Sequence, residues 1–203
     1  MKETMDRQAS STNQRIIRIQ QGVDEARLIA NEVESHGRRW AVRIAGLDKP
    51  TTLPETSDQA KDIVVQFITE KLGIDTIVAD DLDCAHRIGA VKSDKQAILC
   101  RFFRRDLADK VLKVKKTLKG LGCVLFEDAT QLNKQLVINL KARPEVESSW
   151  TMGGKVWAKL KGSGKKIKVS INDNLDYRLR NVIIPPQELI QTPDHVTAQA
   201  TDA

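Results

Sequence analysis

The sequence has few cysteines, few aromatic side chains and no long apolar run, and each shortage excludes a class of protein. Its 203 residues include three cysteines, an odd and sparse number that indicates free thiols in a reducing compartment rather than a disulfide framework. No apolar run approaches the roughly 20 residues needed to cross a bilayer, and the first residues lack the apolar segment of a secretion signal. We therefore expect neither a membrane protein nor a disulfide-stapled secreted domain.

The sequence also lacks the motifs of common catalytic and metal sites. It has no nucleotide-binding glycine loop, no activated serine and no paired histidines. Cys84 and His86 lie two residues apart on a predicted strand, and Cys100 lies on another. Zinc needs four ligands, or three and an open position, and no second close pair exists. We predict that the protein is not an enzyme and binds no cofactor or metal.

Positive charge is in excess, and it is concentrated in one segment. The chain has 33 basic and 27 acidic side chains, a formal net charge of +6. Residues 129–171 alone hold 9 basic and 2 acidic side chains, a net +7. A local field of this size attracts polyanions such as nucleic acids. The alternative is a lysine-rich face that only keeps the protein in solution.

The first 37 residues carry apolar and small side chains in alternating steps of four and three. This heptad pattern predicts a coiled-coil helix over residues 1–37. Ile16 and Ile19 are β-branched residues in both core layers, which favours three strands over two. The alternative is an amphipathic helix that packs on its own domain. The residues predicted to form the oligomer interface are Ile16, Ile19, Val23, Ala26, Ala30 and Val33.

Residues 38–128 follow the order β-α-β-β-α-β. Strands are predicted at residues 40–47, 82–88, 97–103 and 123–126. One helix begins after Thr56 or Ser57 and ends at Gly73, and a second is capped by Asp106. This order is typical of the split βαβ, or ferredoxin-like, arrangement, in which helices cover one face of an antiparallel sheet. The predicted fold class is therefore α+β, with this domain following the coiled-coil helix.

The uncovered face of this sheet is predicted to carry Arg43 and Arg101. An RNA recognition motif has the same element order and stacks bases on aromatic side chains of strands one and three. Here Arg43, Ala97 and Leu99 stand at the positions of those aromatics. We expect a face that neutralises phosphates without stacking bases, so its binding should depend on salt and little on sequence.

A second, smaller unit is predicted over residues 129–175, as a short helix followed by a hairpin at residues 155–171. On the hairpin Val156, Ala158 and Leu160 are expected to point inward, which leaves Trp157 outside among lysines. An exposed aromatic among lysines is typical of a groove that binds single strands. The alternative is that Trp157 is buried and the lysines only solvate an edge strand. Residues 176–203 are predicted to be a flexible tail that holds at most one helical turn.

Short runs throughout the chain match the motifs of a known family. They lie at residues 43–47, 85–89, 101–102, 109–112, 127–128 and 150–157. Together they resemble the RNA-binding proteins encoded by the first open reading frame of non-LTR retrotransposons. The C-terminal part also resembles the C-terminal domain of baculovirus few-polyhedra proteins. The resemblance implies a trimeric coiled coil, an RNA recognition motif and a C-terminal domain that closes on RNA. It also implies ribonucleoprotein assembly and nucleic-acid chaperone activity.

We therefore expect a non-enzymatic protein that binds single-stranded RNA with little sequence preference and self-associates as a homotrimer. Its expected place is a cytoplasmic or nuclear ribonucleoprotein. One alternative is a scaffold whose coiled coil and RRM-like unit bind proteins, and another is single-stranded DNA as the ligand. The candidate nucleic-acid contacts are Arg38, Arg39, Arg43, Arg87, Arg101, Arg104, Arg105, Lys134, Lys141, Arg143, Lys155, Trp157, Lys159, Lys166 and Lys168.

Overall fold

A computed structural model describes residues 2–51 and 54–183. It confirms the predicted mixed α+β class, with a long N-terminal helix followed by two antiparallel sheets. None of the helices in the described ranges combines the length and the apolar character that crossing a membrane requires. We call residues 38–128 the first unit and residues 129–183 the second unit.

The N-terminal helix, α1, spans Lys2–Arg38 and has two different faces. On one face the predicted interface residues Ile16, Ile19, Val23 and Val33 are 54–68% exposed. On another face Asn31 and Ser35 are buried. At about 100° per residue the two stripes lie about 130° apart around the helix axis. The same helix can therefore pack on its own chain and still present an apolar stripe.

The first unit contains six regular elements around a four-stranded sheet. They are β1 (Ala41–Ala45), α2 (Ser57–Leu72), β2 (Leu82–Lys92), β3 (Lys95–Phe102), α3 (Arg105–Lys113) and β4 (Val124–Glu127). The strands lie in the order β2-β3-β1-β4, and every pair is antiparallel. Strand β2 continues to Lys92, four residues beyond the predicted end, because Ser93 and Asp94 both have positive φ and form a tight turn.

The helix caps agree with the sequence at α2 and differ at α3. Thr56 accepts from the Gln59 N–H and Gln59 returns a bond to the Thr56 backbone, while Gly73 ends α2 in the left-handed conformation. Asp106 does not cap α3, as the sequence predicts. Arg104 holds the N-cap position, and its guanidinium binds the Asp106 carboxylate at 2.5 Å. That ion pair keeps the Asp106 side chain away from the backbone N–H groups of the first turn.

The core of the first unit lies between the sheet and the helices on one of its faces. Alternate residues of the central strands, such as Val42, Ile44 and Ile98, are fully buried against α2 and α3. The other face carries the intervening residues. Gly46, at the end of β1, has φ +92°, and a side chain there would collide with the Gly122 carbonyl oxygen. This close approach fixes the loop before β4 against β1.

The second unit packs two helices on a three-stranded sheet. Its elements are α4 (Gln131–Lys141), β5 (Val146–Met152), β6 (Lys155–Leu160), β7 (Lys166–Val169) and α5 (Leu175–Ile183). The order is β5-β6-β7, so the predicted hairpin gains an edge strand, β5, that the sequence analysis missed. The inward positions of Val156, Ala158 and Leu160 are confirmed, because all three are buried in the second core.

Helix α5 begins where the flexible tail is predicted to start. Leu179 of this helix is buried with the other residues of the second core, which accounts for helix over residues 175–183 instead of loose chain. The predicted boundary at residue 176 is therefore wrong for these residues. The rest of the predicted tail, residues 184–203, lies outside the described residues.

Candidate nucleic-acid interface

An open groove of about 470 Å³ lies between the two units, and we call it the trough. One wall is the uncovered face of the first sheet and the other is formed by α4 and β5. Four cationic side chains line it: Arg43, Lys115, Lys134 and Lys141. The one acidic side chain in its lining is Glu127, whose carboxylate accepts from the backbone N–H groups of Gly153 and Gly154 at 2.6 and 3.2 Å.

Two aromatic side chains also line the trough. Phe126 of β4 lies directly opposite Arg43 of β1 and is 49% exposed, while its neighbour Leu125 points into the core. Trp150 of β5 contributes from the second unit. The prediction of a sheet face without aromatics is therefore wrong: strands β1 and β3 lack them, but β4 supplies one. Because the aromatics stand beside cations, the trough can contact both bases and phosphates.

A buried carboxylate lies where α1, β1 and α4 meet. Asp128 is 3% exposed, and it accepts from Arg38 Nη1 at 2.5 Å and from Arg43 Nε at 2.7 Å. Lys134 Nζ lies 3.9 Å from the same carboxylate. Partial burial lowers the pKa of Lys134, and the charges of Arg43 and Arg38 lower it further against the attraction of Asp128. Positive charge therefore exceeds negative charge at this point.

The buried face of α1 is held against the second unit by polar contacts. Asn31 donates to Asn133 Oδ1 at 3.1 Å and accepts from Thr130 Oγ1 at 2.7 Å. Ser35 donates to the Gly154 carbonyl at 2.6 Å. The alternative of a helix that packs on its own chain thus applies to one face of the last turns of α1. These contacts fix α1 and the wall of the trough relative to each other.

The outer face of the second sheet forms a separate basic surface. Trp157 lies opposite Trp150 on one side and Lys168 on the other. It is half-buried, and its indole N–H is buried with no acceptor among the described residues. Lys155 and Lys159 bind Glu32 and Glu147. Lys166 and Lys168 are exposed, and no carboxylate within the described ranges pairs with either.

The comparisons with known proteins do not extend this description. No protein-family model matches the chain, and no curated protein matches it either.

Arg87 is the predicted contact that the structure most clearly removes from any binding surface. It is about one-tenth exposed, and its guanidinium binds both carboxylate oxygens of Glu55, at 2.9 and 3.1 Å. Its remaining nitrogen donates to the carbonyls of Asp48 and Gln96. Every guanidinium nitrogen is therefore occupied, and Arg87 acts as a structural link between β2 and the start of α2.

The other predicted arginines lie outside the lining of the trough. Arg101 is on the uncovered sheet face beside Asp83, and Arg104 and Arg105 pair with Asp106 and Asp109 at the start of α3. Arg143 binds Asp176 of α5 at 2.7 Å. Arg39 is half-buried at the end of α1, with a buried Nε that has no acceptor among the described residues. Of the predicted contacts, the trough brings together Arg43, Lys134 and Lys141.

The sequence analysis missed three side chains of the trough: Lys115, Phe126 and Trp150. Phe126 could have been found, since β4 is correctly placed and its alternation puts Leu125 inside and Phe126 outside. Lys115 lies on a 3-10 turn, Lys115–Leu118, that follows α3 and has no periodic signal of its own. Trp150 belongs to the missed strand β5.

Among the described residues, histidine, cysteine and acidic side chains nowhere come together in a group of three that could hold a metal. Cys84 and His86 lie on the uncovered sheet face. Cys100 points the other way into the core, where burial raises the pKa of its thiol to about 12.

Proposed function

We propose that this protein binds single-stranded RNA with little sequence preference and acts as a non-enzymatic nucleic-acid chaperone in a retrotransposon-type ribonucleoprotein. The observation that carries the proposal is the trough, where four cations and two aromatic side chains line one open groove between two units. The strand order β2-β3-β1-β4 and the helices on a single face suit an RRM-like unit. The resemblance of the short sequence runs to the retrotransposon proteins points to the same function.

The composition of the trough favours a single strand over a duplex. Lysine and arginine side chains neutralise backbone phosphates whatever the sequence, and stacking on Phe126 or Trp150 requires a base whose face is free. A duplex hides its base faces, so it would use the cations alone. Weak contacts of this kind exchange quickly, which suits a chaperone that lets strands melt and pair again.

Self-association through α1 would multiply these contacts. The exposed stripe of Ile16, Ile19, Val23 and Val33 lies away from the face that packs on the second unit. In a trimeric coiled coil this stripe becomes the core and three troughs bind one long strand together. Linked sites raise the avidity without any new contact.

Salt dependence tests the electrostatic part of the proposal. We expect the affinity of the protein for a fluorescein-labelled oligouridylate to fall steeply between low and physiological salt. Four phosphate contacts in the trough of one protomer would give a slope of about −3 in a plot of log affinity against log salt. Fluorescence anisotropy measures this slope. A flat salt curve would reject the proposal, and a matched duplex serves as the comparison ligand.

Replacing the exposed aromatic tests the stacking part. We expect Phe126→Ala to weaken oligouridylate binding by about fivefold or more, because one base–aromatic stack contributes about 1–3 kcal/mol. Phe103→Ala is the matched control, since Phe103 is 57% exposed but does not line the trough. The salt slope should stay the same in both variants, because neither removes a charge. Equal affinities for both variants would mean that Phe126 stacks no base.

A further inference from the structure

We propose that Asp128 is a positioning residue that holds Arg43 and Lys134 as a preformed site for one backbone phosphate. The inference rests on the proposed function and assigns a specific subsite within the trough. Asp128 itself is too deeply buried to touch a nucleic acid. It would act through the two cations whose heads it fixes.

The geometry of Arg43 leaves its binding atoms available. Asp128 Oδ1 accepts from the Nε of Arg43 at 2.7 Å, which fixes the plane of the guanidinium. Within the described ranges, the two terminal nitrogens of Arg43 have no hydrogen-bond acceptor. Arg43 is about one-third exposed and lines the trough. A guanidinium held in this way can offer two N–H groups to the two free oxygens of a phosphodiester.

The local charge count leaves the site short of one anion. Three cations, Arg38, Arg43 and Lys134, meet two carboxylates, Asp128 and Glu34. Arg38 contacts both carboxylates, through its Nε to Glu34 and its Nη1 to Asp128, so its charge is the best compensated. Lys134 lies 3.9 Å from Asp128, beyond hydrogen-bond distance, and its lowered pKa reflects partial burial beside two arginines. A phosphate beside Arg43 and Lys134 would supply the missing negative charge.

The register of the sheet places a base-stacking group beside this phosphate site. Phe126 lies directly opposite Arg43 in the antiparallel pair of β1 and β4. Side chains at such positions have Cβ atoms about 4.5–5.5 Å apart and share one face of the sheet. A nucleotide whose phosphate binds Arg43 and Lys134 can therefore place its base on Phe126. Together these residues form a subsite for one nucleotide of a single strand.

The substitution Asp128→Asn separates positioning from net charge because the two effects have opposite signs. If only net charge mattered, removing a carboxylate would strengthen binding of a polyanion. If Asp128 positions the cations, Asp128→Asn should weaken binding of the labelled oligouridylate by about fivefold to tenfold despite the added positive charge. The control is Asp176→Asn, which likewise releases an arginine, Arg143, but lies 61% exposed outside the trough. It should leave the affinity unchanged or raise it slightly.

A double-mutant cycle tests whether Asp128 acts through Arg43. In an Arg43→Gln background, Asp128→Asn should cause at most a twofold further loss, since the head group that it positions is gone. Equal losses in both backgrounds would overturn the proposal, and so would tighter or unchanged binding by Asp128→Asn alone. If wild-type protein fails to bind oligouridylate, the proposed function fails, whereas normal wild-type binding with a tight Asp128→Asn variant defeats only the positioning role.

Two measurements keep the test decisive if Asp128→Asn does not fold. The variant Arg43→Lys keeps the charge but cannot be held at one nitrogen while it presents two others, so we expect about tenfold weaker binding. Unchanged binding by this variant would contradict the proposal. In the free wild-type protein, the Arg43 Nε–H should give a slowly exchanging NMR signal, because a buried carboxylate accepts from it. A rapidly exchanging Arg43 Nε–H would also contradict the positioning role.

Discussion

Lys134→Glu combined with Lys141→Glu is expected to weaken binding of single-stranded oligouridylate by about a hundredfold or more near 0.1 M salt. Both lysines lie on α4 and line the trough opposite the first sheet. The substitutions remove two phosphate contacts and add two negative charges to a groove that otherwise repels cations. The slope of log affinity against log salt should fall by about 2, because fewer counterions are released on binding.

A matched variant controls for the change in net charge. Lys71→Glu with Lys113→Glu makes the same change at two exposed lysines on α2 and α3, which cover the opposite face of the first sheet. We expect this variant to bind within about threefold of the wild type, since only the long-range field is altered. Circular dichroism establishes that both variants keep the fold. Similar losses in both variants would mean that the polyanion binds to general surface charge and that the trough has no special part.

The elements that the sequence predicts correctly are those whose apolar side chains repeat at the period of a strand or a helix. Val156, Ala158 and Leu160 alternate with polar residues, and the structure buries all three. The same signal places the four strands and two helices of the first unit in their observed order. Burial of apolar surface dominates the folding free energy, so a pattern of apolar positions carries most of the information about local structure.

The contacts that join the units could not be predicted in this way, because they are polar and distant in sequence. Asn31 and Asn133 bond to each other across 102 residues, and Asp128 pairs with arginines 85 and 90 residues away. Buried polar groups need partners, but nothing in their spacing reveals which partners they find. The missed strand β5 has the same cause, since its Glu and Ser residues leave few apolar positions to alternate.

The availability of a charged side chain is equally hidden from the sequence. Arg43 and Arg87 lie on neighbouring parts of the same predicted sheet, and both are predicted contacts. In the structure Arg43 presents its terminal nitrogens to the trough, whereas Arg87 is enclosed by Glu55 and two carbonyl groups. Alternation alone assigns a residue to one face of a strand. The partner of an arginine decides whether its charge can reach a ligand.

The apolar stripe of α1 gives the second large expected effect. We expect wild-type protein to have three times the 22.7 kDa mass of one chain in light scattering, and Ile19→Glu with Val23→Glu to reduce it to a monomer. Both residues occupy predicted core positions of the coiled coil, where buried charges repel each other and leave water without compensation. Oligouridylate long enough to span several protomers should then bind the variant much more weakly, whereas a short one should bind with little change.

The control for this prediction uses the same helix and the same substitution. Ile17 and Ile29 are each 56% exposed, close to the 64% and 54% of Ile19 and Val23, but they lie off the stripe. Ile17→Glu with Ile29→Glu should therefore keep the trimer, because glutamate is tolerated at the flanking positions of a coiled coil. A wild-type protein that is monomeric at all concentrations would contradict self-association. The stripe would then be left for a helix of a different protein, which is the scaffold alternative. If both double variants dissociate equally, the heptad assignment of the interface is wrong, since general loss of apolar surface would explain the result.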